Sequence, residues 1–275
     1  MRPSLILVGL LFALSGCHDA APPLPEGVAP PVQTVPRGST PESAGFGALA
    51  KVQRPGVDFV QLDAGIPVWL TVLERARFSP GLVGAPAQGI SVATLLAQDE
   101  TEDGLLIIGS GFVSQLHSLR PVGLLKQRDR VLNPLLAYGY TRILGVDPAG
   151  LSVIHKDHYE PGLFASALQV GPGIIEDGRL DIAARDMEKT PYFRSFIALC
   201  DSHWVLGISQ APSNLYNLGA ALLNWAKNRG LSCQEMVNLA GDRQAVFAAR
   251  FAGTTYFHGD TSTAKVSLLT FRPSR

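Results

Sequence analysis

Arg194 to Arg250 read RSFIALCDSHWVLGISQAPSNLYNLGAALLNWAKNRGLSCQEMVNLAGDRQAVFAAR, and the order of patterns in this stretch decides the fold. Phe196 to Cys200 and Val205 to Ser209 are apolar runs separated by the polar Asp201-Ser202-His203, which predicts a β-hairpin. Pro212-Ser213 then opens a helix with Ser213 as its cap, because Leu215, Leu218, Leu222 and Trp225 recur at the spacing of one helical face. Gly230 is the expected stop. Met236 to Leu239 predict a further strand, which runs into the polar turn Ala240-Gly241-Asp242-Arg243. Hairpin, helix, strand and polar turn in this order bring distant side chains to neighbouring strand ends, so a site is expected here.

Upstream, Val57 to Leu62 and Pro67 to Glu74 predict strands joined by a turn at Ala64-Gly65. Ser91 to Gln98 is a short helix with Leu95 and Leu96 facing inward. Leu105 to Ile108 is a continuous apolar run, a buried strand, leading into Gly109-Ser110-Gly111-Phe112. Pro121 to Leu125, Arg142 to Val146, Leu151 to Ile154 and Ala165 to Val170 predict more strands. Many strands and two or three helices without strict alternation predict the α+β class, with a mixed β-sheet and a few packed helices in a single domain.

The N-terminus carries targeting signals. Arg2 precedes the apolar run Leu5 to Leu14, which is shorter than the roughly 20 residues a membrane span needs but fits a signal-peptide core. It ends in Leu14-Ser15-Gly16-Cys17, which resembles a bacterial lipoprotein signal. Residues 1–17 are then a signal peptide with Cys17 as the lipidated residue; an ordinary secretory signal is the alternative. His18 after the cysteine, by analogy with such lipoproteins, points to the outer membrane, with the domain facing the periplasm. Residues 18–55 hold eight prolines, among them Pro22, Pro23, Pro25 and Pro55, and predict an extended tether. The folded domain is expected over 56–275.

Lys plus Arg and Asp plus Glu each number 23, so there is no net charge and no basic stripe to recruit nucleic acid. In an oxidising compartment Cys200 and Cys233 either pair as a disulfide or stay as two buried thiols on adjacent strands. No residues have zinc-ligand spacing, and no metal or cofactor is expected.

Several segments together resemble the phosphodiester glycosidase family. A strand followed by N-G-G-F-F in that family is matched by Ile108-Gly109-Ser110-Gly111-Phe112-Val113. Its P-x-G-L segment is close to Pro121-Val122-Gly123-Leu124, and its G-P-x-L-[IV]-x-D-G turn to Gly171 through Gly178. Its R-T-A-x-G strand is similar to Arg194-Ser195-Phe196-Ile197-Ala198. Its N-L-D-G-G-G-S-S corresponds to Asn238-Leu239-Ala240-Gly241-Asp242-Arg243-Gln244-Ala245. Two family residues are replaced: an asparagine by Gly109 and an aspartate by Ala240.

The resemblance implies a glycan or sugar-phosphodiester ligand and cleavage of a sugar–phosphate glycosidic bond. It places Arg194, Asn238, Gly111 and Gly241 in substrate binding and Asp177 and Asp242 in acid–base work. Each has a bland alternative: an ion pair at a strand edge for Arg194, a turn aspartate for Asp177, a strand-end tie for Asn238, a solvated loop charge for Asp242. His117 falls near the implied site or is a loop side chain, and His155, His158 and His203 read as surface residues. Loss of the aspartate and the asparagine leaves a second function open, a catalytically degenerate member that binds glycan or envelope material without turnover.

Overall fold

The computed structural model describes residues 43–98, 103–114, 119–147, 150–184 and 191–274. The chain divides into two units, Met1–Ser39 and Thr40–Arg275. Cys17, the signal and most of the proline-rich segment lie outside the described residues, as does His117. The folded unit starts before residue 56: Ser43–Gly45 is a strand, and Leu49 in the short helix Phe46–Leu49 is fully buried.

The hairpin forms as Arg194–Cys200 paired antiparallel with His203–Ser209. From Ser195 to Cys200 every residue is buried, with strict alternation: Phe196, Ala198 and Cys200 enter one hydrophobic cluster, Ile197 and Leu199 the other. The hairpin is the centre of a seven-stranded sheet ordered Arg179–Leu180, Gly173–Glu176, Cys233–Gly241, Arg194–Cys200, His203–Ser209, Pro67–Glu74 and Val57–Asp63. Cys200 and Cys233 lie opposite each other on adjacent strands and are joined as a disulfide.

One face of this sheet carries the long helix Leu215–Asn228, whose Leu215, Leu218, Leu222 and Ala226 are buried on Phe196, Val205 and Met236. Each buried leucine contributes about 2 kcal/mol by removal from water. The helix cap is Asn214, whose side chain accepts a hydrogen bond from Asn217 N at 2.8 Å. Ser213, expected to cap, sits one residue too early, and its backbone pairs with Tyr192 instead.

The other face packs on a six-stranded sheet. Its order is Ser43–Gly45, Thr254–Gly259, Val246–Phe251, Leu106–Ser110, Ser267–Pro273 and Phe78–Gly84. Leu106, Ile108, Phe247, Phe251 and Phe271 point into the shared core, while Ile107, Val246 and Leu268 turn outward onto the helix Val92–Gln98. A five-stranded sheet, ordered Gly150–His155, Arg142–Asp147, Ser166–Val170, Leu125–Gln127 and Arg130–Asn133, adds Leu144, Val146 and Leu168 to the same core.

These pairings correct the predicted class. Among the described residues every strand pair is antiparallel except Ser43–Gly45 with Thr254–Gly259, and only three α-helices are present, so the fold is an antiparallel β structure rather than a mixed α+β one. The continuous apolar runs that read as sandwiched strands owe their double burial to one helix on each outer sheet face. Helices at those two places cover antiparallel sheets without any parallel crossover.

Candidate functional site

At one end of the seven-stranded sheet two cavities meet at a single side chain, Arg194. The larger, about 560 Å³, includes Arg142, Pro172, Gly173, Glu176, Asp181 and Asn214 in its wall. The smaller, about 360 Å³, is walled by Phe112, Val113, Tyr140, Tyr192, Gly241 and Asp242. Arg194 lines both.

Arg194 begins its strand opposite Gly241, and its backbone N–H donates to Ser209 Oγ at 2.8 Å. The guanidinium stacks over Tyr192 at 4.9 Å from the ring centroid. Its Nε is buried and has no hydrogen-bond partner, and among the described residues no carboxylate lies within ion-pair distance of it. Burial pushes its pKa down, while Asp242, Tyr192 and Tyr140 oppose that shift. Across the cavity, burial pushes the Tyr140 hydroxyl up, with Arg194 opposing. A Cβ at Gly241 would lie 3.4 Å from Phe193 O and 3.7 Å from Arg194 Nη1, ordinary contact distances, so space alone does not demand glycine there.

Asn238 lines neither cavity: it is buried behind the Gly171–Pro172 corner, of which Pro172 lines the larger one. Its Nδ2 donates to Gly171 O at 3.2 Å, and its backbone exchanges hydrogen bonds with the Gly171–Pro172 corner. Its Oδ1 is buried without a partner. Gly111 supports the smaller cavity from behind: its N–H donates to Leu239 O at 2.9 Å, its φ is +81°, and a Cβ would meet Ser267 Oγ at 2.6 Å. Only glycine fits that path, which turns the next residue, Phe112, into the wall.

Asp242 is exposed at the lip of the smaller cavity, held by its N–H to Phe193 O at 3.0 Å. Asp177 is not brought to either cavity. It occupies the exposed turn whose Gly178 N–H reaches Gln234 O at 3.0 Å. Asn238 and Gly241 lie four and seven residues further along that strand, roughly 13 and 23 Å away.

Of the two positions that differ from the family pattern, Gly109 has a packing reason. A Cβ at Gly109 would lie 2.0 Å from Gln244 O, so no asparagine fits there while the Asp242–Gln244 turn keeps this path. That turn is stapled from the far side. Gln244 Nε2 donates to Ala264 O, Gln244 Oε1 accepts from Val266 N, and the buried Lys265 Nζ donates to Arg243 O. Ala240 is fully buried beside Ser195, whose hydroxyl donates to Gly109 O at 2.9 Å.

Sequence reasoning missed Arg142, Glu176, Asp181, Tyr140 and Tyr192. Arg142, nearly fully buried, pairs with Asp181 at 2.6 Å and Glu176 at 3.0 Å. An arginine at the head of the apolar run Ile143 to Val146 was the available signal, because such a charge needs a partner. His155 also lines the larger cavity rather than standing apart on the surface. Close by, burial and Glu176 push Glu235 up to about 7, against the opposing effects of a hydrogen bond from the Asp177 backbone and of Arg142. Among the described residues no group of three or more His, Cys, Asp or Glu side chains is placed to hold a metal.

No protein-family model matches the chain, and no curated protein matches it in sequence. Solved structures do match in shape. The catalytic domain of zebrafish N-acetylglucosamine-1-phosphodiester α-N-acetylglucosaminidase, auto-inhibited by its pro-peptide, aligns with a TM-score of 0.57 at 12% identity, over 86% of this chain and 88% of that one. A hypothetical protein from Synechocystis aligns with a TM-score of 0.50 at 12% identity, over 80% of this chain and 64% of that one. At such identities the likeness is one of fold: this chain shares its architecture with a phosphodiester glycosidase catalytic domain.

Proposed function

We propose that the domain binds a glycosyl phosphodiester where its two cavities meet and hydrolyses the sugar–phosphate bond. The observation that carries this reading is Arg194, a half-buried guanidinium with a free Nε and no carboxylate to neutralise it among the described residues. A desolvated cation so placed favours an anion, and its planar fork suits phosphate oxygens. The N-terminus of the long helix adds its positive end, since Asn214 and Leu215 line the same cavity. The fold shared with a domain named for cleaving an N-acetylglucosamine phosphodiester supports the reaction class.

In the reaction, water attacks the anomeric carbon while the bond from that carbon to the phosphate oxygen breaks. The bonding electron pair leaves with the oxygen. A carboxylate passes a proton from the water to the phosphate oxygen, giving free sugar and a phosphomonoester. Asp242, at the lip beside Arg194, and Glu176 and Asp181, both paired with Arg142 in the wall of the larger cavity, are the carboxylates that line the site among the described residues. Asp177 has no part in this reading.

Capture without turnover is the second reading, and one observation favours it: the buried Ala240 and Gly109 stand where the family pattern has an aspartate and an asparagine. Incubating the full-length protein with the methyl diester of N-acetylglucosamine 1-phosphate separates the two. Free sugar released above an Arg194→Ala control establishes hydrolysis, and calorimetric binding without release establishes capture. Absence of both rejects the site. We also propose that Cys17 is lipidated and that the proline-rich segment holds the domain off the outer membrane. Cys17→Ser should shift the protein from the membrane to the soluble fraction, and unchanged partitioning rejects the anchor.

A further inference from the structure

We propose that the second arm of the diester, on the far side of the phosphate from the sugar, is a hydrophobic alcohol of the kind found in lipid-linked sugar phosphates, and that the smaller cavity holds it. The inference rests on Arg194 as the phosphate contact and names the substrate class that this reading leaves open.

A phosphate at Arg194 would face two chambers of unlike chemistry. On one side the larger cavity offers Thr141, Arg142, Glu176, Asp181 and Asn214, donors and acceptors suited to sugar hydroxyls. On the other side Phe112, Val113, Tyr140 and Tyr192 form an aromatic and aliphatic wall, with the Phe112 and Tyr140 rings 4.5 Å apart and inclined at 32°, and Ser114, Asp242 and Gln244 are the polar side chains that line the same chamber besides Arg194. A polyol arm lying along the aromatic wall would give up water for few polar partners, whereas an alkyl or aryl arm there would bury apolar surface and leave Asp242 at the exposed lip.

The surface around this chamber points the same way. Of the seven large apolar side chains exposed among the described residues, five lie on the two segments that run into it: Leu135, Leu136 and Tyr138 ahead of Tyr140, and Tyr192 and Phe193 ahead of Arg194. Tyr138 is 84% exposed. The first segment is fixed in place. Fully buried Gln169 accepts from Leu136 N at 2.9 Å and donates to Leu136 O and Tyr140 O, each at 2.9 Å. An apolar rim held rigidly around an aromatic chamber gives a chain longer than the chamber a path outward.

The experiment measures binding of two diesters of N-acetylglucosamine 1-phosphate, one methyl and one octyl, to the purified full-length chain below the micelle concentration of the octyl compound. The expected result is an octyl diester bound at least about 10-fold more tightly than the methyl one. Tyr140→Ala should bring that ratio to about 1, and Tyr138→Ser, at a side chain too exposed to affect folding, should lower it about 2–3-fold. Equal affinity for the two diesters overturns the inference and leaves the site standing, as does a preference that neither variant reduces. If neither diester binds the native chain better than it binds Arg194→Ala, the reading of the site fails and the inference fails with it.

Discussion

Arg142 and Arg194 are both desolvated arginines beside the same cavity, and they differ in what neutralises them. Arg142 holds Asp181 and Glu176 in short ion pairs, so its charge is spent inside the fold. Arg194 rests on the face of Tyr192 and makes no ion pair among the described residues; the Nε of each arginine is buried without a partner, so the carboxylates alone make the difference. A buried charge that is paired by its own chain holds structure together; one left with only a ring to lie on is available to an incoming anion.

The comparison can be broken most directly at Arg142. Arg142→Ala strands two carboxylates at the cavity wall, and because both are partly exposed the expected loss is about 2–3 kcal/mol of stability in denaturant melts. Arg194→Ala should leave stability within about 1 kcal/mol and weaken diester binding about 10–100-fold in titration calorimetry. If Arg194→Ala unfolds the domain and Arg142→Ala does not, the two roles are the reverse of those argued above.

Glu235 sharpens the contrast, as a third carboxylate near Arg142 that burial and Glu176 hold at a raised pKa of about 7. A carboxyl whose folded pKa lies above its unfolded value favours the folded state when protonated. That contribution is complete below about pH 4.5 and is lost as pH rises through about 7. Glu235→Gln should therefore stabilise the domain at pH 8, by about 1 kcal/mol after solvent screening, and change little at pH 4. Equal effects at both pH values would show that Glu235 does not titrate in this window. The smallest effect is expected at Asp242. Asp242→Asn removes a negative charge near Arg194 and should tighten binding of an unreactive phosphodiester about 2-fold, while sugar release falls if Asp242 moves the proton.

The hairpin, the long helix and the strands on either side were legible in the sequence because strand alternation and helical spacing are local properties of consecutive residues. The apolar run Leu105 to Ile108 announced a buried strand, the run Phe196 to Cys200 a hairpin arm, and Gly-rich turns marked strand ends. Arg194, Gly241 and Asp242 were singled out through the family resemblance, and the structure sets all three beside one cavity because Arg194 pairs with Gly241 at the ends of adjacent strands.

What only the tertiary structure decided depends on distances between residues far apart in the chain. Strand direction was one such matter, since a run buried on both faces reads alike whether its neighbours are parallel or antiparallel. Another was the contact of Gly109 with Gln244, which gives the glycine a packing reason that the sequence did not show. Arg142 and its acids, 39 and 34 residues away, became partners only when the strand ends were brought together. The same closure left Arg194 with no carboxylate in ion-pair distance among the described residues, Asp242 acting on it only from further off. Local sequence sets which residues are buried; the neutralisation of a buried charge depends on what the rest of the chain delivers beside it.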